Sequence, residues 1–132
     1  MTKKILIVDD EKDICAVLRV SLEKFALWQA IVATSGKEAI LKAKLESPDA
    51  ILLDVSMPDM DGFQVWEKLQ ADTATQLIPV ILVTAKVLSK DRKHFSTMGV
   101  AGVITKPFNP VTICEEIVRI ISEHDLKKQE NL

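Results

Sequence analysis

The chain has 132 residues and an apolar fraction of 48%, enough for one domain with a substantial core. Its formal net charge of −2 supplies no overall attraction to nucleic acid or to an anionic membrane. The longest apolar runs are strand-sized, which argues against a membrane span, and the start Met1-Thr2-Lys3-Lys4 lacks the features of a signal peptide.

Strand and helix patterns alternate five times. The first strand, about residues 4–8, ends at the acid pair Asp9-Asp10. A helix from about Lys12 to Phe25 follows, with Ile14, Val17, Leu18, Leu22 and Phe25 at the spacing of one face. The second strand spans about 30–33. Ser35-Gly36-Lys37-Glu38 then reads as a capping box opening a helix that ends before Pro48. The third strand, about 50–53, ends at Asp54. The helix after it starts near Gly62 and is expected to bury Phe63, Trp66 and Leu69. The fourth strand, about 79–83, ends at Thr84, and the helix from about Ser89 has a thin apolar face of Leu88, Phe95 and Met98. The fifth strand, about 102–105, ends at Lys106. The last helix opens at Asn109-Pro110, with Asn as N-cap and Pro in the first turn. The polar stretch Asp125 to Leu132 is expected to fray.

Short β-branched runs of this kind are buried on both faces, as in a parallel sheet with right-handed crossovers and helices on both sides. In such sheets ligands bind beyond the carboxyl ends of the strands. Asp9, Asp10, Asp54, Thr84 and Lys106 all stand at such ends. Taken singly, they read as helix-start acids, a turn acid, a strand residue and a solvated lysine. Taken together, three carboxylates, a hydroxyl and an ammonium on one rim suit a hard cation and a phosphoryl group. Crowded carboxylates repel one another unless a cation relieves them, and magnesium takes oxygen ligands while keeping several waters. Cys15 and Cys114 lack metal-type spacing and fall in predicted helices. They read as reduced, buried thiols, which with the lack of export signals points to the cytoplasm.

The segments Ile7-Val8-Asp9-Asp10-Glu11, Leu53-Asp54-Val55-Ser56-Met57-Pro58-Asp59-Met60-Asp61-Gly62, Val83-Thr84-Ala85 and Ile104-Thr105-Lys106-Pro107-Phe108 closely resemble the receiver domain of two-component response regulators. Thr84 stands 30 residues after Asp54 and Lys106 stands 22 after Thr84, spacings that also resemble the family's. The resemblance implies a flavodoxin-like, doubly wound, five-stranded parallel sheet in the order 2-1-3-4-5 with five helices. It implies a receiver over residues 1–122, a polar tail at 123–132 and no output domain, hence no direct contact with nucleic acid. It further implies a signalling domain rather than an enzyme. Asp54 would take a phosphoryl group from a sensor histidine kinase or a phosphotransfer protein. Asp10, Asp54 and the Ser56 carbonyl would ligate magnesium directly, and Asp9 would act through a metal-bound water. Lys106, before a cis Lys106-Pro107 bond, would pair with phosphoryl oxygens. Thr84 would swing toward the phosphate and switch protein contacts near the fourth helix.

The chain departs from the family at Val103, where receivers usually carry Tyr or Phe. Ser56 and Lys86 occupy positions that tune the lifetime of the acyl phosphate in the family. Gly62 is expected to adopt a backbone conformation closed to other residues. In the last helix Ile113, Ile117 and Ile120 form one face, widened by Val111, Cys114, Val118 and Ile121. That width suits a homodimer or docking surface as well as broad packing on the sheet. Rival readings are a phosphorelay shuttle, a pseudo-receiver that never takes phosphate, a haloacid-dehalogenase-like phosphatase and a flavin-binding flavodoxin. The phosphatase lacks its second acid, since Ser56 stands there. The flavodoxin would need a phosphate-cradling loop where Asp9-Asp10-Glu11 stands.

Overall fold

The computed structural model describes residues 2–85, 95 and 97–130. Its elements are β1 (Lys4–Val8), α1 (Lys12–Phe25), β2 (Gln29–Ala33), α2 (Gly36–Glu46), β3 (Ala50–Asp54), α3 (Gly62–Gln70), β4 (Val80–Thr84), β5 (Gly102–Thr105) and the C-terminal helix α4 (Ile113–Glu130). All five strands are parallel, in the order β2-β1-β3-β4-β5. The helix expected from Ser89 falls largely on residues outside those described, as does Lys86. Phe95, Thr97 and Met98 are helical.

The two-residue period of the strands divides the core. Ile5, Ile7, Leu52, Ile81, Val83 and Ile104 face α1 and α4. Leu6, Val8, Ile51, Leu53, Val80 and Leu82 face α2 and α3. Because both sets are buried, every inner strand reads as a continuous apolar run and its first polar residue falls at the sheet's rim.

The helix faces differ from the sequence expectation in detail. In α1 the buried set is Cys15, Leu18, Ser21 and Leu22, whereas Val17 and Phe25 are 41% and 53% exposed. The helix is rolled so that Cys15 meets β1, which lifts Val17 away from the sheet. In α3 the fully buried residues are Val65 and Leu69, while Phe63 and Trp66 lie half-buried at the margin. In α4 Ile113, Cys114, Ile117, Ile120 and Ile121 all pack on the core, leaving Val118 exposed, as is Val111 in the turn before the helix. The breadth of that apolar face is therefore mostly spent on the core. Its end does not fray at Asp125 but stays helical to Glu130, in a segment of good helix formers (Glu, Leu, Lys, Gln).

Termini follow local chemistry. Ser35 Oγ accepts from the Glu38 N–H at 3.1 Å, which supplies half of the expected capping box, while the Glu38 carboxylate pairs with Lys42. A full box closes α3 instead: Asp61 Oδ1 accepts from the Gln64 N–H and Gln64 Oε1 accepts from the Asp61 N–H. The N-cap expected at Asn109 falls ahead of the regular helix, which begins at Ile113; Asn109 Oδ1 accepts from the Val111 N–H in the turn that leads into it. Ser47 ends α2 in the left-handed conformation just before Pro48.

Leu53 is fully buried directly before the rim residue Asp54. Leu53→Ala is expected to cost about 2–5 kcal/mol by opening a cavity. Urea unfolding should show a lower midpoint with unchanged slope.

Candidate functional site

The rim at the C-terminal ends of β1, β3, β4 and β5 gathers Asp9, Asp10, Asp54, Thr84 and Lys106. Register does this: Val8 pairs with Leu53, Asp54 with Val83, and Thr84 with Thr105. The residues that follow these pairs emerge side by side. Asp9 is 2% exposed and Asp54 6%, both unusually buried for carboxylates. Asp10 lies in the open beside them. One carboxylate oxygen from each of Asp9, Asp10 and Asp54 lies within 4.8 Å of the other two. Thr84 is buried at the end of β4, and Ser56 is exposed two residues beyond Asp54.

Lys106 closes the cluster. Its backbone N–H extends the ladder to Thr84 O at 2.9 Å, and the bond to Pro107 is cis. Its Nζ donates to Asp9 Oδ2 at 2.9 Å and to Asp54 Oδ1 at 3.4 Å. Asp9 is further held by the Glu11 N–H on Oδ1 at 2.9 Å, and the Cys15 thiol donates to Asp9 O at 3.2 Å. Among the described residues no buried side-chain nitrogen or oxygen lacks a partner.

Charge in this cluster is unevenly compensated. Burial, and then the negative charge of Asp9, push the Asp54 carboxyl above the usual carboxylate range, against the opposing pull of Lys106 and the Ser56 N–H. Burial lowers Lys106, but the Asp9 hydrogen bond and the charges of Asp9 and Asp54 outweigh it, so its ammonium is held above the ordinary value. Burial, with Asp9 adding to it, pushes the Cys15 thiol up to about 11. Cys15 and Cys114 are both buried and free, as expected.

The loop from Val55 to Asp61 forms one wall. The Gly62 N–H donates to Val55 O at 2.8 Å, and a Cβ on Gly62 would lie 2.6 Å from Asp54 O. Gly62 is thus required by close approach, not by the unusual dihedral expected from the sequence. Met57 is buried in the core beneath this loop. Two hollows flank the site. One of about 360 Å³ is lined by Val55, Ser56, Met57, Pro58, Asp61 and Phe63. The other, an open groove of about 390 Å³, runs past Lys106 between Ile14, Val17, Ala85, Pro107, Phe108 and Pro110. On the far side Phe63 stacks on Phe95, ring centroids 5.8 Å apart, in the cluster that also takes Val103.

Sequence reasoning missed Asp59. Its carboxylate accepts from the Gly36 N–H at 3.1 Å, tying this loop to the start of α2. No local pattern signals a contact between residues 23 apart in the chain.

A family profile described as the response regulator receiver domain matches residues 5–118. The chain belongs to that family. Receivers are signalling domains of two-component systems, and phosphorylation on Asp with magnesium is typical of them. This one is 35% identical over 126 residues to the alkaline phosphatase synthesis transcriptional regulatory protein PhoP of Bacillus subtilis, covering 96% of the chain and 51% of that protein. It is 34% identical to protein PilH of Pseudomonas aeruginosa, covering 90% of the chain and 98% of PilH. The receiver therefore spans about half of PhoP and nearly all of PilH. Among solved structures it is similar to chemotaxis protein CheY4 of Vibrio cholerae (TM-score 0.83, 28% identity, 91% of this chain and 99% of that one). It is similar as well to the receiver domain of sensor histidine kinase PA1611 from Pseudomonas aeruginosa (TM-score 0.81, 25% identity, 92% and 99%), which holds a magnesium ion in its active site cleft. The phosphatase and flavodoxin readings give way to this membership. No described helix is long and apolar enough to cross a membrane.

The raised pKa of Asp54 sets a pH dependence in the metal-free protein. Ionising this carboxyl is harder in the fold than in the unfolded chain, so a destabilising penalty grows as pH rises from the unfolded value, about 3.9, and is complete above the folded one. Asp54→Asn should raise Tm in chelator at pH 7, with the gain shrinking toward zero below about pH 4. Thermal melts of both proteins across that range check it.

Proposed function

We propose that Asp54 is the phosphoacceptor of this receiver and that Asp9, Asp10, Asp54 and the Ser56 carbonyl form its magnesium site. The observation that carries this reading is the meeting of three carboxylates, within 4.8 Å of one another, with the Lys106 ammonium at 3.4 Å from Asp54. The donor set is all hard oxygen, which fits magnesium. Asp10 and Asp54 would ligate directly, with Asp9 holding a bound water. When bound, the ion neutralises charge on the carboxylates and on the incoming phosphoryl oxygens.

The chain's own residues do the rest. An Asp54 carboxylate oxygen attacks the phosphorus of a phosphohistidine. A P–O bond forms, the P–N bond breaks, and the imidazole nitrogen leaves with the electron pair and takes a proton. Lys106, already aimed at Asp54, receives the charge gathering on the phosphoryl oxygens. Thr84, at the end of the neighbouring strand, supplies a hydroxyl for one of those oxygens. In this sense the domain takes part in its own phosphorylation.

The donor would be a sensor histidine kinase or a histidine phosphotransfer protein. Its phosphohistidine-bearing helix would dock in the apolar groove of Ile14, Val17, Phe108 and Pro110, because Lys106 and Ala85 line both that groove and the site rim. With Val103 in place of an aromatic ring, the Phe63–Phe95 stack is the element we assign to carrying the response from the loop after Asp54. Output would then be a change in protein contacts near Phe95. A homodimer through α4 would rest on exposed Val118, with Val111 in the turn before the helix. Residues 1–122 would make up the receiver, with 123–130 prolonging its last helix, and reduced Cys15 and Cys114 fit a cytoplasmic setting. The complete acid set weighs against a pseudo-receiver.

Incubation with magnesium and a small acyl-phosphate donor, followed by intact-mass measurement, tests the reading. One added phosphoryl group is expected on the wild type, and none on Asp54→Asn or in chelator. Lys106→Met should slow uptake by roughly 100-fold, the loss typical of removing one transition-state charge contact. An adduct that survives Asp54→Asn would overturn the assignment.

A further inference from the structure

We propose that Asp59 is a positioning residue for the cation and phosphoryl chemistry at Asp54, acting by tethering the β3–α3 loop to the first turn of α2. The inference rests on the site reading above and goes beyond it to a residue outside the rim. Asp59 is an exposed acid on a loop, a place where a charge ordinarily serves only solubility. Here both its carboxylate oxygens accept from the Gly36 N–H, at 3.2 and 3.1 Å, and one also accepts from the Lys37 N–H at 3.4 Å. Those amides are two of the donors that a helix start leaves without partners. Ser35 serves the third, on Glu38. The Gly36 amide also holds the Asp59 carboxyl below the usual range.

Packing reinforces the tether. A Cβ on Gly36 would lie 2.8 Å from Met60 Cβ, so loop and helix approach as closely as a glycine permits. At the loop's other end, Gly62 is pinned to Val55 O at 2.8 Å and pressed against Asp54 O. Ser56, Met57 and Pro58 lie between these two anchors. The segment that carries the Ser56 carbonyl is therefore anchored at both ends, and releasing Asp59 frees one of them.

Magnesium titration by calorimetry, with amide hydrogen exchange at Gly36 and Lys37 in the metal-free protein, tests the proposal. Asp59→Ala should raise the magnesium Kd roughly tenfold, the scale of losses beyond the direct ligands, and speed exchange at both amides. Asp59→Asn keeps an acceptor oxygen and should restore the Kd to within about twofold. Ser35→Ala weakens the same helix start without touching the loop and should leave the Kd unchanged. An Asp59→Ala protein that is folded and binds magnesium like wild type overturns the inference, as does Ser35→Ala weakening the Kd equally. If the wild type itself binds no magnesium, the site reading falls and this inference with it.

Discussion

One ammonium holds the functional end of this protein together. Lys106 bridges Asp9 and Asp54, two acids almost wholly withdrawn from water and close enough to repel. Two such carboxylates without a cation would carry a large electrostatic cost. The lysine offsets part of it, and the rise in the Asp54 pKa marks the part left over. On the proposed reading, that residual cost is what a divalent ion and a phosphoryl group would relieve.

The remainder of the architecture serves that arrangement. Five parallel strands, sandwiched between two helical layers, end at one level. Their register delivers Asp9, Asp54, Thr84 and Lys106 to the same rim. Two glycines then let the wall beside Asp54 come close: Gly62 against the Asp54 backbone and Gly36 against Met60. If the Ser56 carbonyl is a metal ligand, as proposed, rigidity in this wall would matter, because a backbone carbonyl, unlike a side chain, has no rotamer with which to correct its position.

Much of this was legible in the residues. Strands buried on both faces leave unbroken apolar runs, so Ile5 to Val8, Ala50 to Leu53 and Val80 to Val83 announced themselves, and with them the rim residues. The helices were less transparent. Periodicity gives the width of an apolar stripe but not how the helix rolls on the sheet. The stripe therefore points to Val17 and Phe25 as core where Cys15 and Ser21 fill that place, and to Phe63 and Trp66 where Val65 is buried. Gly62 answers to crowding rather than to a dihedral, and the two leave the same letter in a sequence. The α3 capping box at Asp61 and Gln64 carries a local pattern, three residues apart. Asp59 carried none, because its partner lies on another helix.

On the proposed reading, Lys106 shifts from Asp9 to a phosphoryl group on Asp54. A crystal structure with magnesium and beryllofluoride, a stable mimic of the phosphoryl group, observes this directly. The expected result is the mimic on an Asp54 oxygen, the cation among Asp10, Asp54 and the Ser56 carbonyl, and Lys106 Nζ bonded to a fluorine with its Asp9 contact lengthened. A mimic bound elsewhere, or Lys106 still seated on Asp9 with no contact to the mimic, would contradict it.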